Sequence, residues 1–124
     1  MNWEVELHSE FLAEFEALSE DVQDELLALI GLLQNFGPHL GRPHVDTLNG
    51  SKFANMKELR FRAADGVWRV AFAFDRTRKA ILLVAGDKSG RSQKRFYRRL
   101  IETADYRFDS HLASLDKASD SDRK

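Results

Sequence analysis

The chain has 124 residues, of which 43% are hydrophobic and none is cysteine. This length predicts one domain with one modest core, and the absence of cysteine excludes disulfides and thiolate metal sites. The four histidines lack the close spacing of a zinc site, so we expect no metal and no other cofactor. Because the sequence shows no secretory signal and no long apolar run, we expect a soluble cytoplasmic protein that does not contact the membrane.

The net charge of −1 conceals a strong asymmetry along the chain. Residues 1–50 carry ten carboxylates and one arginine, whereas residues 51–99 carry fourteen Lys/Arg and only four Asp/Glu. Residues 100–124 are mildly acidic again, with six acidic and four basic side chains. The middle of the chain therefore predicts a local anion-binding surface on an otherwise acidic body.

The first half of the chain predicts a strand followed by two helices. Residues 2–7 alternate polar and apolar side chains, as in a half-buried strand. Ser9 and Ser19 are candidate N-caps of two successive helices, and the second helix carries one apolar stripe over residues 22–33. Residues 37–51 are rich in glycine and proline, which indicates the end of that helix and then an ordered loop.

The second half predicts three strands and a last helix. Residues 58–62 alternate polar and apolar side chains, and residues 68–74 alternate large apolar side chains with Arg69, Ala71 and Ala73. Both patterns have the period of two that is typical of strands. Residues 80–85 are apolar on both faces, as in a central strand. A final helix is expected from about Ser92, because apolar residues then recur at i+4 spacing as far as residue 112.

The predicted order of elements is β-α-α-β-β-β-α. This order indicates an α+β fold in which a helical hairpin covers one face of a small, mostly antiparallel sheet and a C-terminal helix follows. The pair Asp65-Gly66 predicts the tight turn between the first two of the three later strands. We expect a single domain over residues 1–115 and a polar, flexible tail over residues 116–124.

The sheet face opposite the helical hairpin is the candidate functional surface. By strand alternation it collects one glutamate, three arginines and two alanines: Glu58, Arg60, Arg62, Arg69, Ala71 and Ala73. Like charges on adjacent strands repel, so the cluster favours an anion such as phosphate, which arginine binds through two hydrogen bonds. The small alanines would leave space for a nucleotide above a solvated Arg69. The alternative interpretation is an ordinary solvated face of an antiparallel sheet.

These residue types suit metal-free cleavage of RNA. In that reaction a base takes the proton of a 2′-hydroxyl, which attacks the adjacent phosphorus, while an acid protonates the leaving 5′-oxygen. Glu58 is the candidate base, and Arg60 and Arg69 would stabilise the phosphorane charge. Several side chains are candidates for the acid: Lys57, Lys88, Lys94 and Tyr97. For Glu58, a plain cross-strand ion pair is the alternative.

Other basic side chains are candidate RNA contacts, and with Tyr97 they complete the predicted site. We expect the catalytic set to be Glu58, Arg60, Arg69 and Lys57. We expect the RNA-binding set to be Lys52, Arg62, Lys88, Lys94, Arg95 and Tyr97. For the basic helical segment over residues 94–99, a solvated helix face is the alternative interpretation.

Several segments of the chain resemble the phage-derived HigB-like branch of the RelE/ParE toxin superfamily. They are residues 40–48, 55–61, 68–72 and 81–84, together with Lys88. The resemblance covers roughly residues 3–112 and implies the same order of elements. It implies a type II toxin that acts as a ribosome-dependent mRNA endonuclease and inhibits translation. It also implies phosphate stabilisation by Arg69, at the family's central-strand arginine, while Arg60 matches the arginine of the family's Lys-Glu-Leu-Arg segment.

The resemblance further implies the partners. They are the ribosome with its mRNA and a cognate antitoxin, expected to be a helix-turn-helix protein of the HigA kind that forms a hetero-oligomer with the toxin. Many superfamily members carry a functional Tyr or His near the last strand, but residues 86–90 contain neither, so the general acid stays open. Two other functions stay open as well. One is a ParE-like gyrase inhibitor without nuclease activity, and the other is a non-catalytic nucleic-acid-binding prophage protein.

Overall fold

The chain forms five strands, three α-helices and one short 3-10 turn within residues 2–122, which are the residues that this computed structural model describes. In chain order the elements are β1 (Val5–Leu7), α1 (Ser9–Glu16), α2 (Glu20–Phe36), the 3-10 turn (Gly37–His39), β2 (Val45–Thr47), β3 (Lys57–Ala63), β4 (Gly66–Phe74), β5 (Ala80–Asp87) and α3 (Gln93–Asp122). This order confirms the predicted α+β fold and adds one short strand, β2.

The five strands form one sheet in the order β1-β5-β4-β3-β2. β1 runs parallel to β5, and the other neighbouring strands are antiparallel, which confirms the mostly antiparallel sheet. β2 lies inside residues 37–51, which the sequence predicted as a loop. The prediction was wrong for this segment because three residues are too few to show alternation. β2 is instead held by its pairing with β3, in which Val45 lies opposite Leu59.

α1 and α2 form the predicted hairpin against one face of the sheet. Their side chains Phe11, Leu26 and Leu33 are fully buried and pack in one cluster with Leu59 and Phe72 of the central strands. Burial of a side chain of this size contributes about 1.5–3 kcal/mol. This layer is therefore a main source of the free energy of folding.

The ends of these helices follow local sequence signals in two cases out of three. Ser19 caps α2 as predicted, since its side chain accepts a hydrogen bond from a backbone N–H in the first turn. Gly37 ends α2 with φ of 54°, a conformation that favours glycine. The prediction for α1 was wrong, because Ser9 is already inside the helix and His8 is the cap. The Nδ1 atom of His8 accepts a hydrogen bond of 3.2 Å from the backbone N–H of Glu10.

α3 packs on the face that the sequence analysis left open. Ala71 and Ala73 are fully buried in a cluster with Phe96, Leu100 and Ala104 of this helix. The alanines therefore make room for α3 and not for a nucleotide. The expectation of a solvated Arg69 was wrong for the same reason, since that residue is only 5% exposed.

Arg107 connects α3 by hydrogen bonds to α1 and to strand β5 of the sheet. Its guanidinium donates hydrogen bonds of 2.7 and 2.6 Å to the two carboxylate oxygens of Glu14 in α1, and one of 2.8 Å to the carbonyl of Leu83 in β5. The two parallel bonds to a carboxylate are the geometry that arginine forms best. Arg107 therefore fixes how the long helix lies across the sheet.

The turn between β3 and β4 is shifted by one residue from its predicted place. Ala63 pairs with Gly66, and the two central residues are Ala64 and Asp65, with φ of 49° and 62°. Gly66 has a different reason to be glycine, because a Cβ there would lie 2.6 Å from Nε1 of Trp68. The sequence signal was therefore correct about the presence of a turn and wrong about its centre.

α3 continues beyond the predicted end of the domain. It is helical as far as Asp122, so the described part of the 116–124 segment is helix. The flexibility of that segment and the domain boundary at residue 115 stay predictions. Among the described helices, none is long and apolar enough to cross a membrane.

Candidate active site and RNA-binding surface

An open cleft lies where β2 and β3 meet the beginning of α3. Its volume is about 380 Å³. The residues that line it come from four segments of the chain: Asp46, Thr47, Leu48, Asn49, Glu58, Arg60, Lys88, Gln93 and Tyr97. The sheet register accounts for part of this set, because Asp46 of β2 pairs directly with Glu58 of β3. The rest follows from the short connection between β5 and α3, which brings Tyr97 over the same strands.

Glu58, Tyr97 and Arg69 form a continuous hydrogen-bond chain at the base of this cleft. The phenol of Tyr97 donates to Oε1 of Glu58 at 2.9 Å, and Nε of Arg69 donates to the phenol oxygen at 3.2 Å. Nε of Arg69 also lies 3.6 Å from Oε1 of Glu58. The side chains of Arg69 and Glu58 are only 6% and 8% exposed. Arg69 therefore lies behind the other two residues and supports them.

Burial changes the protonation chemistry of this chain of residues. It raises the pKa of Glu58, and the hydrogen bond from Tyr97 and the charges of Arg69 and Arg60 oppose this only in part. Burial also raises the pKa of Tyr97, and so does its hydrogen bond to Glu58. A carboxylate whose pKa moves toward neutrality is a better base at physiological pH. The phenol correspondingly keeps its proton and remains a donor.

Two cationic side chains, Arg60 and Lys88, line the cleft beside these hydrogen-bonded residues. Arg60 lies directly opposite Arg69 in the β3–β4 pairing, and its NH1 atom is 3.7 Å from Oδ2 of Asp46. Lys88 follows β5, and burial together with the charges of Arg69 and Arg60 lowers its pKa. Like charges directly opposite each other on adjacent strands, such as Arg60 and Arg69, destabilise a free protein. Their arrangement is therefore suited to an anionic group in the cleft.

The structure brings together only part of the predicted site. Five of the predicted residues lie at the cleft or directly behind it: Glu58, Arg60, Lys88, Tyr97 and Arg69. The others lie elsewhere. Strand alternation places Lys57 on the opposite side of β3 from Glu58, and Lys52 forms an ion pair with Asp109 of α3. Arg62, Lys94 and Arg95 are exposed outside the cleft.

The sequence analysis did not identify Asp46, Asn49 and Gln93 as residues of the site. The first two depend on the short strand β2, for which the sequence carries no visible signal. Gln93 could have been predicted from the sequence, because it lies four residues before Tyr97 in the predicted helix and such residues share a helix face. The sequence analysis included Tyr97 but did not predict its hydrogen bond to Glu58, since the sequence does not show how far a helical side chain reaches across a sheet.

The chain that carries this site is similar to known proteins. Residues 13–109 match the family model described as phage-derived protein Gp49-like. The chain is 49% identical over 100 residues to the putative toxin HigB3 of Mycobacterium tuberculosis (strain ATCC 25618 / H37Rv), which covers 81% of this chain and 85% of that protein. It is 41% identical over 108 residues to the putative toxin HigB2 of the same organism, over 86% of this chain and 53% of the relative.

Two solved structures share the fold at low sequence identity. One is a mutant of the Escherichia coli toxin RelE in the free state, with a TM-score of 0.58 and 12% identity over 82% of this chain and 95% of that chain. The other is the archaeal RelE–RelB complex from Pyrococcus horikoshii OT3, with a TM-score of 0.53 and 16% identity over 73% of this chain and 99% of that chain. The resemblance inferred from sequence is thereby confirmed, and the chain belongs to the phage-derived Gp49-like family and has a RelE-like fold.

Proposed function

We propose that this protein is a type II toxin that cleaves mRNA on the ribosome and so inhibits translation in the cytoplasm. Family membership supports the toxin assignment, because two similar proteins are named as putative toxins. The observation that carries the enzymatic part is the hydrogen-bond chain from Arg69 through Tyr97 to Glu58. It places a carboxylate of raised pKa next to cations in an open cleft. The proposed chemistry uses no metal ion.

Glu58 is the base of the proposed reaction. Tyr97 occupies Oε1 of this carboxylate, while Oε2 has no hydrogen bond among the described residues. Oε2 is thus the oxygen that takes the proton of the 2′-hydroxyl, whose oxygen then attacks the adjacent phosphorus. Tyr97 and Arg69 keep the carboxylate fixed during this step. Fixed orientation of the reacting groups is itself a large contribution to rate.

Arg60 and Lys88 act on the phosphate. Both line the cleft, so both are in place to stabilise the negative charge of the phosphorane. Lys88 is also the proposed acid that protonates the leaving 5′-oxygen, because its lowered pKa makes the ammonium a stronger acid. Of the four candidate acids only Lys88 and Tyr97 line the cleft, and the proton of Tyr97 is bonded to Glu58. The products are a 2′,3′-cyclic phosphate and a free 5′-hydroxyl.

The ribosome supplies the alignment of the RNA in this proposal. In-line attack requires the 2′-oxygen, the phosphorus and the 5′-oxygen to lie nearly on one line, which free RNA rarely satisfies. The cleft is open and offers few groups to impose this geometry. A ribosome that holds the mRNA in this in-line geometry would lower the activation barrier by several kcal/mol. Efficient cleavage of free RNA at the same rate would contradict this part of the proposal.

The decisive experiment compares cleavage of one mRNA on programmed ribosomes by the wild-type protein and by Glu58→Gln. We expect the variant to be at least about 10²-fold slower, since it lacks the base. Glu102→Gln makes the same chemical change on an exposed residue of α3. Because Glu58→Gln leaves the buried Arg69 without its ionic partner, the thermal midpoint of this variant is measured beside its activity. If Glu58→Gln folds normally and cleaves at the wild-type rate, the proposed mechanism is wrong.

We also propose a cognate antitoxin as the partner that restrains this activity. The segment over residues 51–99 is strongly basic in a near-neutral chain, so it attracts an acidic segment of another protein. One of the structural neighbours is a complex of RelE with RelB. Co-expression with a cognate antitoxin, which the family resemblance implies to be a helix-turn-helix protein, is expected to rescue growth and to co-purify both chains. A toxin that is harmless alone and binds no neighbour would contradict the proposal.

A gyrase-inhibiting toxin remains the second candidate and predicts a different result in the same assay. Such a protein would arrest growth without cleaving any mRNA, and Glu58→Gln would stay toxic. The cleft favours the nuclease, because gyrase binding requires neither a buried carboxylate nor a phenol bonded to it. A non-catalytic nucleic-acid-binding protein would neither cleave mRNA nor arrest growth.

A further inference from the structure

α3 carries three arginines on the side that faces away from the candidate active site. Gln93 and Tyr97 line the catalytic cleft from one side of this helix. At 3.6 residues per turn, Arg95, Arg98 and Arg99 lie between about 140° and 240° around the helix axis from Gln93. Arg91, just before the helix, joins them. These four residues define the arginine face, and all four are exposed.

The arginine face surrounds a second cleft, separate from the catalytic one. This cleft has a volume of about 470 Å³ and is lined by these arginines together with Gly90, Ser92 and Phe96. It continues into a smaller groove of about 230 Å³ between α3 and the end of β5, which shares Arg91, Phe96 and Arg99. The two clefts at the start of α3 therefore lie on opposite flanks of one helix.

The arginine face destabilises the free protein. Among the described residues no carboxylate lies within ion-pair distance of these four arginines. Asp87 lines the adjoining groove and interacts electrostatically with Arg91, so it offsets part of the charge of that one arginine. Like charges three or four residues apart on a helix repel, and cations near a helix N-terminus oppose the helix dipole. The first turns of α1 and α2 carry acidic residues, whereas that of α3 carries none. An anion bound at this face would offset these unfavourable terms.

We propose that the arginine face binds the phosphate backbone of a ribosomal RNA helix, as a second RNA site beside the catalytic cleft. This inference rests on the proposed function, because it assigns the ribosome as the source of the RNA. The bound RNA helix holds the protein on the ribosome, while the catalytic cleft on the opposite flank of α3 presents Glu58 and Lys88 to the mRNA. Arginine suits this contact, because its fork donates two hydrogen bonds to a phosphate without reading a base.

Other occupants fit the arginine face less well. Single-stranded RNA binds through bases stacked on exposed aromatic rings, and the only aromatic side chain that lines these two clefts is Phe96, which is 6% exposed. The same positive charge attracts an acidic antitoxin segment, but a stable protein interface is also enriched in aromatic side chains at its core. The large apolar side chains described as exposed lie outside both clefts: Leu12, Leu27, Phe36 and Tyr106. A helical RNA backbone requires neither feature.

The test replaces three arginines of the full-length protein, as Arg95→Gln/Arg98→Gln/Arg99→Gln. The control matched in charge is Arg76→Gln/Arg78→Gln/Lys79→Gln in the β4–β5 turn. Its thermal midpoint is measured as well, because Arg76 and Lys79 form ion pairs with Asp116 and Glu4. Binding of each protein to purified ribosomes and to a blunt RNA duplex is measured over a range of salt concentrations. We expect the α3 variant to bind both about tenfold more weakly or worse, with a salt slope shallower by about 1 for each lost phosphate contact. The turn variant should keep the wild-type affinity and slope.

Cleavage of mRNA on ribosomes separates this site from the chemistry. The α3 variant should require more ribosomes for half-maximal rate and keep the wild-type rate at saturation. Equal losses in the two triple variants, or none in the α3 variant, would overturn the inference. So would loss of antitoxin binding by the α3 variant with ribosome binding intact. A wild-type protein that binds the duplex through these arginines but cleaves no mRNA on ribosomes would refute the proposed function and leave the RNA site standing.

Discussion

The phenol of Tyr97 lies 2.9 Å from Oε1 of Glu58, so a residue of the C-terminal helix completes a site that begins on the third strand. The same phenol accepts a hydrogen bond from Arg69 on the fourth strand. One hydroxyl group thus connects a carboxylate, a guanidinium and two layers of the fold. The integrity of this site therefore depends on how α3 packs against the sheet.

Removal of that hydroxyl in Tyr97→Phe should slow cleavage and shift its pH dependence. The hydrogen bond from Tyr97 holds the pKa of Glu58 below the value that burial alone would give. Without it the pKa of Glu58 rises further, so the carboxylate is deprotonated only at higher pH. The acidic limb of the kcat/KM profile should therefore move to higher pH. An unchanged limb, with activity reduced or not, would show that the phenol does not act on Glu58.

Arg69→Ala should destabilise the fold as well as remove activity. A solvated arginine contributes at most about 1 kcal/mol, but Arg69 is buried next to Glu58. Removing one partner of a buried pair costs on the order of 3–5 kcal/mol, because the other charge is left uncompensated. The double change Arg69→Ala/Glu58→Gln should regain part of that loss. Urea denaturation of the three variants measures it, and a stability loss of the double variant equal to the sum of the two single losses would contradict the pairing.

Only some features of the site around Glu58 and Arg69 could be predicted from the sequence. The alternation around Glu58 and Arg69 is local, so their common face could be predicted from the sequence alone. Their burial was not visible, because it depends on α3 crossing that face. The regularly spaced apolar residues of α3 have to be buried against another surface. The helical hairpin already covers one face of the sheet, so only the opposite face is available to α3. The sequence thus held the information in Ala71 and Ala73, whose small size was interpreted as space for a ligand.

The link between Arg107 and Glu14 should contribute to stability in a pH-dependent way. The hydrogen bonds from Arg107 lower the pKa of Glu14. The resulting stabilisation is present above the unfolded-state pKa of a glutamate and is lost as pH falls through the lower folded-state value. Arg107→Lys keeps the charge but loses the paired bonds, which should cost about 1–2 kcal/mol at neutral pH.

Thermal midpoints of wild type and Arg107→Lys, measured from neutral to acidic pH, check this prediction. The difference between the two proteins should narrow in acid, because protonated Glu14 is no longer an ionic partner in either. Glu16→Gln serves as a control, since Glu16 is exposed at the end of α1 and its replacement should change the free energy of unfolding by no more than about 0.5 kcal/mol. A difference that widens in acid would contradict the assigned cause.

The proposed role of Lys88 as the general acid yields the sharpest prediction. Lys88→Arg keeps a positive charge in the cleft but cannot release a proton at any pH where RNA is stable. It should therefore bind ribosomes normally and cleave about 10²-fold more slowly. The alkaline limb of the wild-type pH profile should lie below the ordinary pKa of lysine, because burial and the neighbouring arginines lower the pKa of Lys88.

A substrate with a sulfur in place of the leaving 5′-oxygen tests this role without changing the fold. A thiolate leaves without protonation, so this mRNA should restore cleavage by Lys88→Arg to nearly the wild-type rate. It should not rescue Glu58→Gln, because the 2′-hydroxyl still has to lose its proton to a base. If the sulfur substrate rescues both variants or neither, Lys88 is not the acid. Full activity of Lys88→Arg on ordinary mRNA would instead show that Lys88 only stabilises negative charge. The general acid would then be another residue, and Tyr97 is the remaining candidate that lines the cleft.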